Sequence, residues 1–151
     1  VDRWRMRALD AGVHLERPAA ARAGHVKGDE VLLGRMLDNL LENAIRYAGH
    51  EGDVAVEVRG DHDDGWTITV TDSGPGFDEA FRPHAFERFA RAEQRRTNDG
   101  GGAGLGLPLC AAIASAHGGS VNIDTTVTGA RLRVWLPATR QSAPLQPARS
   151  T

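Results

Sequence analysis

The segment from Asp29 to Gly49 limits the possible folds of this 151-residue chain more than any other segment does. Asp29 is a typical N-cap and Gly49 a typical helix stop, so the segment predicts a helix that extends to about Ala48. Because successive residues of a helix are rotated by about 100°, polar side chains collect on one side and apolar side chains on the other. The polar side holds Arg35, Asn39, Glu42, Asn43 and Arg46, and the apolar side holds Leu33, Leu37, Leu40, Leu41, Ala44 and Ala48. One side can pack against a core while the other remains available for chemistry.

Alternation of apolar and polar residues predicts two antiparallel hairpins. Residues 54–58 and 68–70 alternate on either side of a turn that is rich in aspartate and glycine. Residues 121–123 and 132–136 alternate in the same manner and predict a closing hairpin. This period of two is the pattern of strands with one buried face.

Shorter segments complete the predicted element order. Residues 2–11 predict the end of a helix, and residues 13–16 predict a short strand with which residues 25–27 would pair. Residues 105–117 predict a further helix that tolerates Pro108 because a proline in the first turn removes no intrahelical hydrogen bond. His117 is interpreted as a structural residue at the end of that helix.

These elements predict an α/β chain of the two-layer α+β sandwich type, in which a mixed, largely antiparallel sheet packs on about three helices. We expect residues 1–12 to be the end of a linker or a first helix, residues 13–137 to form one domain, and residues 138–151 to be a disordered tail. The polar, arginine-rich segment from about 78 to 103 ends in three glycines. A loop of that length is typically functional or disordered.

Composition narrows the function classes. Charged residues make up 25% of the chain and hydrophobic residues 40%, which is ordinary for a soluble globular protein. The net charge of −2 gives no basis for nucleic-acid binding, and no apolar run approaches the roughly 20 residues of a membrane span. Cys110 is the single cysteine, so we expect no internal disulfide, a buried thiol and a reducing, cytoplasmic setting.

Four short motifs in fixed order carry most of the functional information. They are Asn-Leu-Leu-Glu-Asn-Ala-Ile-Arg-Tyr at 39–47, Asp-Ser-Gly-Pro-Gly at 72–76, Phe-Glu-Arg-Phe at 86–89 and Gly-Ala-Gly-Leu-Gly-Leu at 102–107. Each motif alone is weak evidence; a glycine cluster, for example, occurs in the turns of many proteins. In series, a polar helix face, an acidic turn, an aromatic pair and a glycine loop predict one nucleotide pocket.

The first motif offers ligands for a metal ion and for phosphate. Mg²⁺ takes hard oxygen ligands from a few protein groups, water and phosphate, and the Asn43 amide supplies such an oxygen without adding negative charge. Asn39 lies one turn earlier and can reach the same ion shell or a phosphate, whereas Arg46 can donate to phosphate oxygens. Glu42 is the candidate catalytic residue, since a carboxylate there can accept a proton. The alternative is a solvated helix face with an ordinary Glu42–Arg46 pair.

The second motif suits the recognition of a base. The Asp72 carboxylate lies at a predicted strand end, where it can accept a hydrogen bond from the adenine amino group and discriminate against the guanine carbonyl. Gly74 and Gly76 permit close backbone approach and positive φ angles in the turn that follows.

The third and fourth motifs suit the binding of phosphates. Docking of Phe86 and Phe89 would carry Arg88 or Arg91 toward the γ-phosphate; the alternative is a small apolar cluster under a loop. The glycine loop turns backbone N–H groups and the positive end of a helix toward phosphates. Its candidate cofactor-binding residues are Gly102, Gly104, Leu105, Gly106 and Leu107.

In this order the motifs closely resemble the N, G1, F and G2 boxes of the ATP-binding domain of sensor histidine kinases, a branch of the wider family that contains gyrase, Hsp90 and MutL. The resemblance extends over about residues 13–137. It implies that Asn43 holds Mg²⁺, that Arg46 contacts phosphate, that Tyr47 packs against adenine and that Asp72 binds the adenine amino group.

The resemblance also implies partners. The chain would bind Mg-ATP under a flexible lid at about 78–103 and donate the γ-phosphate to a histidine on a separate dimerisation or phosphotransfer domain. A response regulator would be an indirect partner. No histidine of this chain lies in the setting of a phosphoacceptor helix, so the acceptor is expected elsewhere. The resemblance places this domain in the cytoplasm, without nucleic-acid or membrane contact.

Departures from the resembled pattern keep alternatives open. Ala130 stands after Gly129 where the family often has threonine near adenine, and Pro108 stands where a small helix former is usual. One alternative is an anti-sigma-factor serine kinase of the same fold, whose short length fits. Another is a degenerate nucleotide-sensing module, which Ala130 and the missing acceptor favour. A hydrolytic relative of the MutL or Hsp90 type would normally need further domains.

Overall fold

The computed structural model of the protein describes residues 2–16, 25–61, 64–88, 106–125 and 128–138. Its helices are α1 (Asp2–Asp10), α2 (Glu30–Ala48) and α3 (Gly106–Ala116), with a short 3₁₀ helix at Arg82–His84. Its strands are β1 (His14–Glu16), β2 (Asp53–Asp61), β3 (Gly65–Asp72), β4 (Ser120–Ile123) and β5 (Ala130–Leu136). Within these described ranges, none of the helices has the length and apolar character that would let it cross a membrane.

The strands form one sheet in the order β1-β2-β3-β5-β4. β1 pairs with β2 in parallel, and the other three pairs are antiparallel. The prediction of a mixed, largely antiparallel sheet packed on about three helices is confirmed, as are both predicted hairpins. In the observed register Asp72 lies opposite Val54 on one side and Ala130 on the other.

The predicted strand at residues 25–27 is wrong, because these residues have no strand pairing. The short strand β1 pairs instead with the start of β2, where His14 is opposite Asp53. Residues 25–27 lead directly into α2, and the N–H of Asp29 donates to the His117 ring at 3.0 Å. That bond ties the residues at the start of α2 to the end of α3.

Helix α2 begins and ends where the sequence predicts. The Asp29 side chain accepts from the N–H of Leu32 at 3.0 Å, which satisfies one of the unpaired donors of the first turn. Gly49 follows the helix with a φ of 74°, a conformation that glycine adopts without strain. The residues of α2 that are buried are Met36, Leu40, Ala44 and Ile45.

One hydrophobic core joins all three helices to the inner face of the sheet. Helix α1 contributes Trp4 and Ala8 to it, so the residues before Val13 pack on the same core as the rest. Cys110 of α3 is fully buried, as predicted, and burial raises the pKa of its thiol to about 12. A thiol held neutral in this way is chemically inert at ordinary pH.

Asp38 ties α1 to α2 through polar contacts beside this core. Its Oδ1 accepts from Trp4 Nε1 at 2.8 Å and forms an ion pair with Arg3. The Arg7 guanidinium lies 5.0 Å from the Trp4 ring centroid. Partial burial raises the pKa of Asp38, but the hydrogen bonds from Arg3 and Trp4 and the charges of Arg3 and Arg7 together lower it below its ordinary value.

Asp38→Asn should therefore destabilise the fold slightly at neutral pH. The pair is partly exposed and screened, so we expect a loss of about 0.5 to 1 kcal/mol in the free energy of unfolding. Because the folded-state pKa of Asp38 is lowered, its charge stabilises the fold above the unfolded carboxyl pKa of about 3.9. This contribution disappears as pH falls through the folded pKa. Urea titration of both proteins at neutral pH and in acid measures the difference, and an equal difference at both pH values would contradict this account.

Candidate active site

An open pocket lies between helix α2 and the inner face of the sheet. Its lining consists of Leu40, Asn43, Ala44, Tyr47, Val70, Asp72, Phe77, Ala130 and Leu132. Three residues predicted to bind a cofactor, Asn43, Tyr47 and Asp72, therefore meet around one cavity. The rest of the lining is apolar, which suits a flat base more than a charged group.

Asp72 is the acidic group of this pocket and stands at the end of β3. Only 6% of its surface is exposed, and in the part of the chain that the structure describes it is the only charged residue that is buried. Its Oδ1 accepts from the N–H of Gly74 at 2.9 Å. Such a bond partly compensates a carboxylate for the loss of water.

The turn after Asp72 needs glycine because other backbone segments press against it. A Cβ on Gly74 would lie 2.2 Å from the carbonyl oxygen of Tyr47. Gly76 has a φ of 77°, and a Cβ there would lie 2.7 Å from the Gly129 oxygen. A Cβ on Gly129 would in turn lie 2.0 Å from the backbone carbonyl oxygen of Asp72. The turn thus joins the end of α2 to the loop before β5.

Asn43 forms a polar corner with the start of helix α3. A Cβ placed on Gly106, the first residue of α3, would lie 3.7 Å from Asn43 Nδ2. The N–H groups of a first helical turn have no intrahelical partner and carry partial positive charge. An amide that lies beside such a turn can share a bound anion or its counter-ion with it. Leu107, the next residue, is buried in the core.

The remaining predicted residues of α2 lie outside the pocket lining. The Glu42 carboxylate is 3.8 Å from the Arg46 guanidinium, and its side chain is 49% exposed. This is the ordinary i,i+4 pair that the sequence offered as an alternative. Asn39 and Arg46 are half-buried. All three are on the same helix as Asn43, but the pocket is not lined by them.

The structure covers only part of the predicted lid. Arg88 is exposed and is not among the residues that line the pocket. Phe86 packs against the core, as the aromatic motif predicts. The other predicted residues of this region, Phe89, Arg91, Gly102, Gly104 and Leu105, lie outside the described residues.

Sequence reasoning missed the apolar part of the pocket. Phe77 lines it and stacks on Phe81, with ring centroids 6.1 Å apart. An aromatic residue directly after the glycine turn, in an otherwise polar segment, was the available signal. The alternation predicts strands at Val70 and Leu132, but not that the two residues pair and form one wall of the pocket. That pairing joins segments distant in sequence, so no local pattern specifies it.

Comparison with known proteins agrees with the fold and with the family that the motifs resemble. The family described as histidine kinase-, DNA gyrase B- and HSP90-like ATPases matches residues 28–140. The chain belongs to this family of ATPases. The histidine-kinase-type ATP-binding domain predicted from the motifs is confirmed by its sensor-kinase relatives, and the serine-kinase alternative is not favoured.

Relatives of this ATPase domain are sensor proteins. Sensor protein RstB of Escherichia coli strain K12 is 42% identical over 101 residues, which is 67% of this chain and 23% of RstB. The mycobacterial sensor histidine kinase MprB has a structure with 28% identity and a TM-score of 0.76, over 90% of this chain and 89% of that one. Full-length ShkA, solved in complex with AMPPNP, has 26% identity and a TM-score of 0.77, over 95% of this chain and 29% of ShkA. The chain thus spans less than a third of RstB and of ShkA.

Gly74→Ala tests the backbone contact that shapes the site of this ATPase domain. The new methyl group would meet a backbone oxygen that cannot rotate away, so we expect a loss of about 1 to 3 kcal/mol in the free energy of unfolding. Gly34→Ala is the matched control, because a Cβ there meets nothing within 4 Å. In the middle of α2 that change should stabilise the protein by about 0.5 to 1 kcal/mol. Denaturant titration measures both, and equal effects of the two changes would contradict the contact.

Proposed function

We propose that the chain binds Mg-ATP in this pocket and donates the γ-phosphate to a histidine on a separate dimerisation or phosphotransfer domain. The observation that carries the proposal is the buried Asp72 in an apolar cavity, with the Asn43 amide and the start of α3 at its polar corner. A base and a charged phosphate chain need these two environments side by side. The sensor kinases to which the chain is similar support the phosphotransfer step.

The apolar end of the pocket would hold adenine. Asp72 accepts a hydrogen bond from the adenine amino group, while Tyr47, Phe77 and Leu132 contact the faces and edges of the ring. Gly74 and Gly76 keep the backbone close enough for Asp72 to reach it. A guanine carbonyl in the same place could not donate, so Asp72 would select adenine.

The polar corner would hold the phosphates and Mg²⁺. The described residues contain no cluster of three or more His, Cys, Asp or Glu side chains that could cage a metal ion. Mg²⁺ fits this setting, because it commonly uses one or two protein oxygens together with substrate phosphates and water. Asn43 would supply the oxygen, and Asn39 and Arg46 would reach the phosphates from the same helix. When bound, Mg²⁺ neutralises phosphate charge during transfer.

The glycine loop and the lid would complete the phosphate site. Gly102, Gly104, Leu105, Gly106 and Leu107 would present backbone N–H groups at the start of α3. Arg88 and Arg91 would contact the γ-phosphate when the lid closes. Glu42 would serve as the base or orient the attacking group, once a ligand draws Arg46 away from it.

Removal of the proposed metal ligand or of the base-recognising carboxylate should weaken ATP binding without unfolding the chain. We expect Asn43→Ala and Asp72→Asn each to lower ATP affinity by about ten- to a hundredfold, since a hydrogen bond to a charged group contributes roughly 1.5 to 3 kcal/mol. The new amide at residue 72 can still accept from Gly74. Asn122→Ala, on the exposed part of β4, is the control. Unchanged affinity in both pocket variants by calorimetry would refute the site.

The phosphotransfer step has its own test. The purified chain is mixed with labelled ATP, Mg²⁺ and histidine-bearing dimerisation domains from sensor kinases. We expect acid-labile phosphate on the added domain and none on this chain alone, since none of its histidines lies in a phosphoacceptor setting. Acid-labile phosphate on this chain alone, or acid-stable phosphoserine on a partner, would contradict the proposal.

A further inference from the structure

The His117 ring connects the end of α3 to the start of α2. Its Nδ1 lies 2.7 Å from the carbonyl oxygen of Ile113, and its Nε2 lies 3.0 Å from the backbone nitrogen of Asp29. A backbone N–H can only donate and a carbonyl can only accept. The ring is therefore neutral in this arrangement, with its proton on Nδ1 and with Nε2 as the acceptor.

Helices α2 and α3 run antiparallel, so this contact and the polar corner lie at opposite ends of one helix pair. His117 meets Asp29 at one end, and Gly106 lies beside Asn43 at the other. Between them the helices pack through buried apolar side chains, including Leu40 and Ile113. Apolar contact is not directional, so it opposes sliding less sharply than a hydrogen bond does. The thiol contact from Cys110 to the Met36 oxygen, at 3.5 Å, is weak.

We propose that His117 is a positioning residue for the phosphate end of the nucleotide site. Its bond to the Asp29 N–H fixes α3 along its axis relative to α2, and this sets the distance between Gly106 and Asn43. The inference rests on the proposed function, because it assumes that phosphate binds at that corner. Helix α3 has 11 residues and is roughly 16 Å long at its rise per residue. As a rigid rod it transmits a shift at His117 to Gly106.

The surroundings of the ring support a fixed position. A Cβ on Gly28 would lie 2.4 Å from His117 Cδ2 and 2.8 Å from Nε2. The ring is thus wedged against the backbone just before α2, and glycine is the residue that leaves room for it. A purely local role at the end of α3 would require the Ile113 bond but neither this close approach nor the bond to Asp29.

Two amide substitutions separate the local role from the positioning role. His117→Asn puts an amide nitrogen near the place of Nδ1, so it can keep the bond to Ile113 but cannot reach Asp29. His117→Gln puts an amide oxygen near the place of Nε2, so it can accept from the Asp29 N–H. A local role predicts that the asparagine variant resembles the unchanged chain more closely, whereas the positioning role predicts the opposite.

The experiment measures the affinity of the unchanged chain and of both variants for Mg-ATP and for adenosine, by calorimetry and by NMR titration. We expect His117→Asn to lose about tenfold in ATP affinity with unchanged adenosine affinity, because adenosine uses only the Asp72 end. His117→Gln should stay within about threefold for both ligands. Equal behaviour of the two variants, or parallel loss of ATP and adenosine, would overturn the inference.

A second variant keeps the test decisive if the asparagine variant does not fold. Gly28→Ala pushes the ring away from Asp29 while His117 is retained, and the same selective loss of ATP affinity is expected. Retained ATP affinity in that variant would overturn the inference. If the unchanged chain itself bound no ATP, the proposed function would fail and this inference with it. If the unchanged chain bound ATP but the variants did not show the predicted affinities, only this inference would fail and the proposed function would stand.

Discussion

Close backbone contact around the turn after β3 is the constraint on which the pocket depends. Gly74 lies against the carbonyl of Tyr47, and Gly129 lies against the carbonyl of Asp72. Side chains can change rotamer to relieve crowding, but carbonyl groups within a helix or a strand end cannot do so without moving the whole element. The end of α2, the end of β3 and the start of β5 are therefore held at one separation. That separation sets the width of the cavity between them.

Helix α2 combines a structural role in the core with its proposed binding role. Met36 and Leu40 are fully buried, and burial of such side chains contributes about 1.5 to 3 kcal/mol each to the fold. Asn43 stands one turn beyond this anchored stretch, with its backbone already ordered by it. A ligand that meets Asn43 therefore does not have to order the helix, and the entropy of ordering is not subtracted from its affinity. In the proposed site, core packing would thus contribute to recognition by ordering the backbone of Asn43 in advance.

Much of the fold follows from local patterns, and the parts that do not are decided by tertiary contacts. Asp29 and Gly49 mark the ends of α2 because capping chemistry is local. The hairpins follow from alternation for the same reason. The parallel pairing of β1 with β2 could not be predicted, since a three-residue strand carries no signal for its partner. The local sequence does not mark Phe77 as a pocket residue, because its place in the pocket depends on α2 and β5, which are distant in sequence. Asn43 and Tyr47 of the first motif and Asp72 of the second line one cavity. Asn39, Glu42 and Arg46 do not line it, although they share a helix with Asn43.

The fold prepares Asp72 for its proposed role in base recognition before any ligand arrives. Burial of a carboxylate is costly unless hydrogen bonds replace its water, and the Gly74 N–H supplies one such bond within the fold. The cost of removing water from Asp72 is thus already included in the stability of the domain. Val70, Ala130 and Leu132 surround the site with apolar surface, where a hydrogen bond is electrostatically stronger than in water. In the proposed complex, a base with an amino group in the right place donates a further hydrogen bond to this carboxylate. A base with a carbonyl there would leave a buried acceptor facing another acceptor, at a cost of about 1 to 3 kcal/mol. Selectivity for the base then comes mainly from rejection of the wrong partner, and it depends on the glycines that keep Asp72 in place.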